Sequence, residues 1–173
     1  RWPGGRVTVD RLVIPSFRWM FSAGIVSVTA LQWLRNWVLN KVSTSKLLFD
    51  DYPSKLYISR DDADQRRILN ESELIFALSK LGFQKYTLSN LSISEQILLF
   101  SQADVVVAPH GAGLVNMIWS RDINIIEIFG EKLNQIYFIM ANSMNFNYHP
   151  IFSNPKGEDI YVNVSKVQDM FRK

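Results

Sequence analysis

Cysteine is absent from this sequence of 173 residues, and its absence excludes disulfide scaffolds, thiolate metal sites and thiol catalysis. The absence of cysteine is compatible with a reducing compartment. Charge of one sign is scarce too, since 19 basic and 16 acidic residues leave a net charge of +3. Without a basic run, we expect no nucleic-acid partner. No stretch offers the roughly 20 uninterrupted apolar residues of a membrane-spanning helix, and the composition predicts a globular domain.

The first fifty residues differ in pattern from the rest of the chain. They contain an alternating strand pattern, an amphipathic helix pattern and a linker, at residues 7–14, 29–40 and 43–53. The chain opens with Arg1 and has no signal-peptide pattern, so we interpret it as a piece of a longer protein. We assign residues 1–52 to the tail of an N-terminal domain or an interdomain segment, and 53–173 to a second domain. A core or interdomain patch is expected at Trp19, Trp33 and Trp37.

After residue 53 the sequence alternates between strand and helix patterns. Short apolar runs predict strands at 56–58, 84–88, 103–108, 124–129 and 147–152. Apolar residues at helical spacing predict helices at 71–81, 92–100 and 133–144. Repeated strand–helix units with short connections predict an α/β fold, a Rossmann-like doubly wound sheet with mainly parallel strands.

Helix ends carry signals of their own. Asn70, with Glu73 three residues later, has the spacing of a capping box at the start of the helix 71–81. Gly82 is placed to end that helix. Ser92 or Ser94 is expected to start the next one, because serine is a preferred N-cap residue.

The segment 104–117 carries the strongest chemical signal. A buried strand runs into the sequence His-Gly-Ala-Gly at 110–113, followed by the start of a helix. Ligands of open α/β sheets bind beyond the carboxyl ends of the strands, and amides at a helix N-terminus favour an anion such as phosphate or diphosphate. His110 could bind that anion or a neighbouring hydroxyl, and Asn116 faces the same turn. The alternative is a tight turn with a half-buried histidine.

Three arginines follow the first strand of the repeat, after Ser59, at Arg60, Arg66 and Arg67. This loop is predicted at the same sheet edge as His110. Arginine can clamp phosphate oxygens bidentately, which lysine cannot do. The alternative is that the arginines pair on a solvated loop with Asp61, Asp62 and Asp64.

An acid, Glu127, interrupts the apolar strand 124–129. An unpaired buried carboxylate is costly, so Glu127 needs partners. Two ribose hydroxyls are one solution, known from nucleotide sites, and a pair with Arg or Lys is the other. A metal site is not expected, because the chain has only two histidines and its clustered aspartates lie among arginines.

These residues together resemble glycosyltransferase family 61. The resemblance rests on Ile58-Ser-Arg60, Arg66-x-Ile-Leu-Asn70, Glu95-Gln96, His110-Gly-Ala-Gly-Leu-x-Asn-Met117 and the downstream Glu127. It runs from about residue 12 to residue 148 and is most similar to bacterial members that act in capsular polysaccharide biosynthesis. It implies a GT-B architecture, in which two Rossmann-like domains face each other across a cleft. This chain would supply the C-terminal, donor-binding domain.

The resemblance also implies roles for individual residues. Arg60 and Arg66 would contact the diphosphate of a nucleotide-sugar donor, UDP-linked in our expectation, with Ser59 and Arg67 beside them. The turn would add the side chain of His110 and the backbone of Gly111, Ala112, Gly113 and Leu114, with Asn116 close by. Glu127 would face the nucleoside.

The family further implies transfer with inversion, without metal or cofactor, to a glycan or lipid-linked acceptor. The missing N-terminal domain would supply the catalytic base, and His110 is the one candidate within the chain. We expect the isolated chain to be inactive, and the whole protein to be cytoplasmic, with peripheral association at the inner face of the membrane. Two alternatives stay open. One is a non-catalytic nucleotide- or phosphate-binding regulatory or scaffold module, and the other is a domain that docks a partner through its Trp-rich face.

Overall fold

The computed structural model describes residues 10–11, 27–42 and 52–172. A five-stranded sheet consists of β1 (Lys55–Ser59), β2 (Gln84–Thr87), β3 (Val105–Pro109), β4 (Asn124–Phe129) and β5 (Asn147–Phe152). The helices are α1 (Val28–Val42), α2 (Glu71–Ser79), α3 (Ile93–Ser101), α4 (Ile136–Ser143) and α5 (Val164–Asp169). Two 3-10 helices, Leu88–Asn90 and Ala112–Trp119, and a short hairpin of β6 (Asn154–Lys156) and β7 (Asp159–Tyr161) complete the described elements.

All strand pairs of the large sheet are parallel, and the strand order is β2-β1-β3-β4-β5. The predicted α/β fold with a parallel sheet is confirmed. In this order the chain turns back between β1 and β3, and the loops after these two strands leave in opposite directions. Such a switch point opens a crevice at the carboxyl ends of the strands, where α/β proteins bind ligands. The GT-B pairing of two domains stays an expectation.

Helices cover both faces of the sheet, because successive side chains of a strand point to opposite faces. On one face Leu56 and Val106 pack among residues of α3, α4 and the longer 3-10 helix. On the other, Tyr57 and Val107 pack among residues of α2 and α5. The central strands are therefore buried on both sides, as their β-branched sequence predicts.

The capping box lies at α3 rather than at α2. Ser92 accepts from the amide of Glu95, whose carboxylate in turn accepts from the amide of Ser92. The expectation of a capping box at Asn70 is wrong, because its side chain makes no cap hydrogen bond. Instead the Asn70 amide pairs with both backbone groups of Val162. Gly82 follows α2 at φ +85, the left-handed backbone that favours glycine after a helix.

Helix α1 packs on the main domain through Leu31 and Leu34. A hydrogen bond of 2.7 Å from Arg35 Nη1 to the Ser120 carbonyl anchors it at the end of the longer 3-10 helix. Trp33 and Trp37 stack on each other but are 64% and 52% exposed, so their expected place in a core is wrong. An interdomain role for them remains a prediction, as does the division at residue 52. Trp19, most of the strand predicted at 7–14 and most of the linker lie outside the described residues, and residues 10 and 11, which are described, are not in a strand.

The sequence analysis did not predict the hairpin β6–β7 or α5. Predicted helix 133–144 is also shorter, since α4 begins at Ile136. The hairpin turns at Gly157, which has φ +64. Its second strand lies against the loop that follows β1, through a parallel bridge between Ile68 and Ile160. The unpredicted hairpin therefore holds the arginine loop in place.

Candidate anion site at the sheet switch point

The loops after β1 and β3 meet at the switch point. A Cβ atom on Gly111 would lie 2.1 Å from Nη1 of Arg60 and 2.9 Å from its Cζ. The guanidinium therefore occupies the space that any other side chain at position 111 would need. The backbone of Gly111 is extended, so the close approach, rather than an unusual conformation, calls for glycine. Arg60 and the His-Gly-Ala-Gly turn, fifty residues apart in the chain, form one site.

A cavity of roughly 100 Å³ lies between the two loops, with Ser59, Arg60, Gly111 and Gly113 in its wall. Pockets that enclose a drug-sized ligand hold about 300 to 1,000 Å³. This cavity can therefore take one group of a larger ligand, such as a phosphate, and not a whole nucleotide sugar. Gly113 permits the narrow geometry, since a Cβ there would lie 2.8 Å from Leu88 Cδ1.

The turn after β3 presents backbone amides. The first hydrogen bond of the 3-10 helix runs from the Leu114 amide to the Gly111 carbonyl, at 3.0 Å. The amides of Ala112 and Gly113 precede it and have no acceptor within the helix. Leu114 differs from its expected role, because its side chain is buried in the core and its amide is already bonded. The helix is of the 3-10 type, and its N-terminus is still the end that favours an anion.

Arg66 is held in a strained conformation at the rim of the site. Its φ is 61°, a left-handed value that is unusual for a residue with a side chain. The hairpin fixes this conformation through a hydrogen bond of 2.8 Å from the Arg66 amide to the Glu158 carbonyl. Its Nε atom is buried and has no hydrogen-bond partner among the described residues. Arg66 shares the lining of a second, smaller cavity with His110, so it too faces the turn.

Arg60 and Arg66 carry positive charge without a neutralising partner. Within the ranges 27–42 and 52–172, neither lies at ion-pair distance from a carboxylate. Burial, and then the charge of Arg66, hold the pKa of Arg60 below its usual value. The guanidinium of Arg60 donates two long hydrogen bonds of 3.4 Å to the Gln65 carbonyl and has no shorter one among the residues that the structure describes. The charge of Asp62, which also lines the cavity, acts on the pKa of Arg60 in the opposite direction. Two guanidinium groups without an ion-pair partner form a site that an anion would stabilise.

Arg67 is different, because Asp159 of the hairpin binds it. The Arg67 side chain donates to both carboxylate oxygens of Asp159, at 2.7 Å for Nη2 to Oδ2, and its amide donates to Oδ1 at 3.0 Å. This arrangement gives no support to the predicted donor contact of Arg67. The alternative of pairing with the nearby aspartates is wrong for all three arginines. Asp61 pairs with Lys85 instead, at 2.7 Å.

Ser59 anchors the start of the arginine loop. Its hydroxyl donates to Glu71 Oε1 at 2.6 Å and accepts from the Asp61 amide at 3.1 Å. Lys85 joins the same network through Glu71 at 3.1 Å. The hydrogen bonds from Lys85 and Thr87 hold the pKa of Asp61 below its usual value. Ser59 lines the cavity, but its polar atom is engaged in holding the loop.

His110 and Glu127 form a buried pair. Nδ1 of His110 contacts Oε1 of Glu127, and the Tyr148 hydroxyl donates to Oε2. Glu127 is 0% exposed and lies in the register between Ala108 and Pro150 of the neighbouring strands. The expected pair with Arg or Lys is therefore wrong, and the partners are a histidine and a tyrosine. The nucleoside contact that the resemblance implies for Glu127 stays untested.

Asn116 holds the turn in place through hydrogen bonds. Its Nδ2 donates to the Gly113 carbonyl and to Gln96 Oε1, both at 3.1 Å, and its Oδ1 accepts from Trp119 Nε1 at 3.0 Å. Gln96 continues the network to the Leu88 carbonyl at 2.9 Å. The polar atoms of Asn116 thus join α3, the turn and the loop after β2. Both N–H groups of Asn116 are therefore engaged within the protein, and its predicted contact with the nucleotide sugar stays a prediction.

The described residues contain no group of three or more His, Asp or Glu that could hold a metal ion. A separate search of the same residues finds no helix with the length and apolar character needed to cross a bilayer.

The fold and the loops at this sheet edge define an α/β domain with a candidate anion site at its switch point. The glycosyltransferase 61 family model matches residues 3–125, well over half of the chain, and the chain belongs to that family. The match includes the arginine loop and the turn but ends before Glu127. The chain is also similar to the EGF domain-specific O-linked N-acetylglucosamine transferase of Gallus gallus, at 25% identity over 117 residues. That alignment covers 64% of this chain and 22% of the relative, so the chain spans about a fifth of its length.

Sequence reasoning missed two contributors to the site, the hairpin residues Glu158 and Asp159 and the hydroxyl of Tyr148. The hairpin had a signal in Asn-Pro-Lys-Gly at 154–157, since proline and glycine mark turns. Tyr148 had none, because its partner Glu127 lies on the adjacent strand and only the register brings them together.

Proposed function

We propose that this chain is the donor-binding part of a glycosyltransferase and that it holds the diphosphate of a nucleotide sugar at the switch point. The observation that carries the proposal is the guanidinium of Arg60 against the bare backbone of Gly111. Arg66 adds a buried Nε without a partner among the described residues, at a second cavity that His110 also lines. Guanidinium groups and free amides are the donors that phosphate oxygens prefer. Family membership supports the choice of a nucleotide sugar among the anions that fit.

The proposed chemistry is the stabilisation of the leaving diphosphate. When the glycosidic bond to the donor phosphate breaks, negative charge develops on the phosphate oxygens, and fixed positive groups lower the energy of that state. Arg60 and Arg66 are already in place and carry no counter-ion that must first leave. In the proposed mechanism a hydroxyl of the acceptor attacks the anomeric carbon with inversion. A base outside this chain takes the hydroxyl proton.

The test is calorimetric titration of the 173-residue chain with UDP-GlcNAc, UDP and uridine. The named relative transfers N-acetylglucosamine, which makes UDP-GlcNAc a reasonable first probe. Because the diphosphate provides the main contacts in this account, UDP should bind at least tenfold more tightly than uridine. Equal binding of UDP and uridine, or no binding of either, would contradict the proposal.

A non-catalytic phosphate-binding module would give the same titration. The two functions differ in turnover by a protein that also contains the remainder of the family's fold. Release of UDP from UDP-GlcNAc, lost on Arg60→Ala, supports the transferase. Binding without release in the presence of hydroxyl acceptors supports the module.

A further inference from the structure

Glu127 has no oxygen left for a ligand. It is fully buried on β4, and its two carboxylate oxygens are taken by His110 Nδ1 and by the Tyr148 hydroxyl. Burial and then the hydrogen bond to Glu127 raise the pKa of Tyr148, so the hydroxyl keeps its proton and acts as the donor. With both oxygens engaged and the side chain fully buried, the groups that the carboxylate touches are His110 and Tyr148.

Two aromatic rings and the contact with Glu127 fix the imidazole of His110. Its ring stacks on Phe129, with centroids 5.4 Å apart, and lies 5.3 Å from the ring of Tyr137. Its amide donates to the Ile128 carbonyl at 2.9 Å. Since Nδ1 is committed to Glu127, Nε2 is the nitrogen left for a ligand. The ring lines the small cavity that it shares with Arg66.

The hydrogen bond made by one ring nitrogen decides which nitrogen of a neutral histidine carries the proton. A carboxylate can only accept, so it holds the proton on Nδ1 and leaves a lone pair on Nε2. A lone pair on Nε2 accepts a hydrogen bond from a hydroxyl group and repels a phosphate oxygen.

We propose that Glu127 is a positioning residue that fixes the Nδ1–H tautomer of His110, so that Nε2 accepts a hydroxyl of the bound sugar nucleotide. Tyr148 holds the other oxygen of Glu127. The phosphate is left to the arginines and the amides. The hydroxyl-binding part rests on the proposed function, whereas the tautomer is a property of the chain alone. Glu127 then contributes to binding only through His110.

The first experiment measures the tautomer by NMR of nitrogen-labelled histidine in the ligand-free chain. The chain has two histidines, and the exposed His149 is an internal reference whose signals His149→Gln identifies. We expect neutral His110 to carry its proton on Nδ1, and Glu127→Gln to populate the Nε2–H form. Tyr148→Phe keeps the contact between Glu127 and His110 and should keep the Nδ1–H form, so it is the control for the loss of a buried polar partner. If Glu127→Gln fails to fold, the tautomer of wild-type His110 decides alone. Neutral wild-type His110 with its proton on Nε2 would overturn the proposal.

The second experiment is a double-mutant cycle on UDP-GlcNAc affinity. Glu127→Gln should weaken binding about tenfold, which corresponds to one hydrogen bond to a charged group. In the background of His110→Ala it should cause no further loss. A loss that persists there would mean that Glu127 touches the ligand, and no loss in either background would mean that the tautomer has no role; both overturn the proposal.

The two experiments also separate this proposal from the proposed function. If wild-type chain does not bind UDP-GlcNAc, the proposed function fails on its own terms. The tautomer result still confirms or overturns the positioning role of Glu127.

Discussion

Arg66 and Arg67 are neighbours in the chain, and they have opposite surroundings. Arg67 faces the hairpin, where Asp159 binds it through both carboxylate oxygens. Arg66 faces the turn after β3, where its buried Nε finds no partner among the described residues. The same contrast separates the two sides of the loop. Lys85, Asp61 and Glu71 are paired on the supporting side, whereas Arg60 and Arg66 line two cavities beside the turn and have no ion-pair partner in the described ranges.

The difference teaches how a loop can be rigid and still offer charge to a ligand. The paired side fixes the backbone, so that the unpaired guanidinium groups hold their positions without an anion present. Preorganised groups of this kind lose little entropy and need little rearrangement when a ligand binds. Substitutions on the unpaired side should therefore change ligand affinity, and substitutions on the paired side should change the stability of the fold.

The largest effect is expected from the unpaired arginines. Arg60→Ala and Arg66→Ala should each weaken UDP-GlcNAc binding by about 10- to 100-fold, the range for one or two hydrogen bonds to a charged group. Arg66→Lys should also weaken it, because lysine keeps the charge but loses the Nε donor and the planar fork. The measurement is calorimetric titration at constant salt.

Arg67→Ala is the matched control one residue away. Because Asp159 already occupies its guanidinium, the affinity should change by less than about threefold, near the limit of what an exposed charge contributes. Equal losses of UDP-GlcNAc affinity for Arg66→Ala and Arg67→Ala would contradict the difference between the paired and the unpaired side.

The next largest effect is expected at Gly111. A methyl group there would meet the guanidinium of Arg60, which is the flexible end of its side chain and can move away. Gly111→Ala should therefore weaken UDP-GlcNAc binding about tenfold while changing the melting temperature little. Titration and thermal unfolding of the same sample give both values.

Gly113→Ala provides the contrast. Its methyl group would press on Leu88, a buried core residue, and overpacking of a core costs roughly 1–3 kcal/mol. The free energy of unfolding should fall more than the affinity. A stable Gly113→Ala variant with lost binding, beside an unstable Gly111→Ala variant, would reverse the assignment of the two glycines.

A smaller effect is expected from the paired side in acid. Hydrogen bonds from Arg67 hold the pKa of Asp159 below its ordinary value of 3.8. A carboxyl with a depressed pKa stabilises the fold above its unfolded value and loses that contribution as the pH falls through its folded value. The stability difference between wild type and Asp159→Asn should thus be full at neutral pH and shrink below about pH 3.8.

Urea denaturation at neutral pH and in acid measures this difference. UDP-GlcNAc affinity at neutral pH should change only a few fold, since Asp159 acts on the backbone of the loop. A stability difference that grows on acidification would show that the carboxylate destabilises the loop.

The smallest effect is expected at the exposed tryptophans of α1. Trp33→Ala and Trp37→Ala should each change the free energy of unfolding by less than about 0.5 kcal/mol, as exposed positions do. Leu34→Ala, on the packed side of the same helix, should cost about 1 kcal/mol or more. Loss of stability at Trp33 comparable with that at Leu34 would contradict the observed orientation of α1.

The sheet and the approach of the two loops could be predicted from local sequence. The β-branched run at 103–108 and the glycines that follow it predict a buried parallel strand that ends in a tight turn. The carboxyl ends of parallel strands share one edge, so Arg60 and His110 were expected together. Those inferences need only the pattern within a segment and a general rule of topology.

The partners of the charged groups could not be predicted in this way. Asp159 lies 92 positions from Arg67, on a strand of only three residues, and nothing local distinguishes Arg67 from Arg66. Glu127 was expected to bind ribose hydroxyls or to pair with an arginine or lysine, because its buried carboxylate needs partners. The register of β4 and β5 decided in favour of Tyr148. Which charge is paired depends on contacts that form last, between distant segments.

The most direct test of the central claim is a crystal structure of the chain with UDP. We predict that the diphosphate lies over Gly111. Its oxygens should lie within hydrogen-bond distance of the guanidinium groups of Arg60 and Arg66 and of the amides at 112–113. A diphosphate bound elsewhere, with both guanidinium groups pointing away from it, would contradict the account.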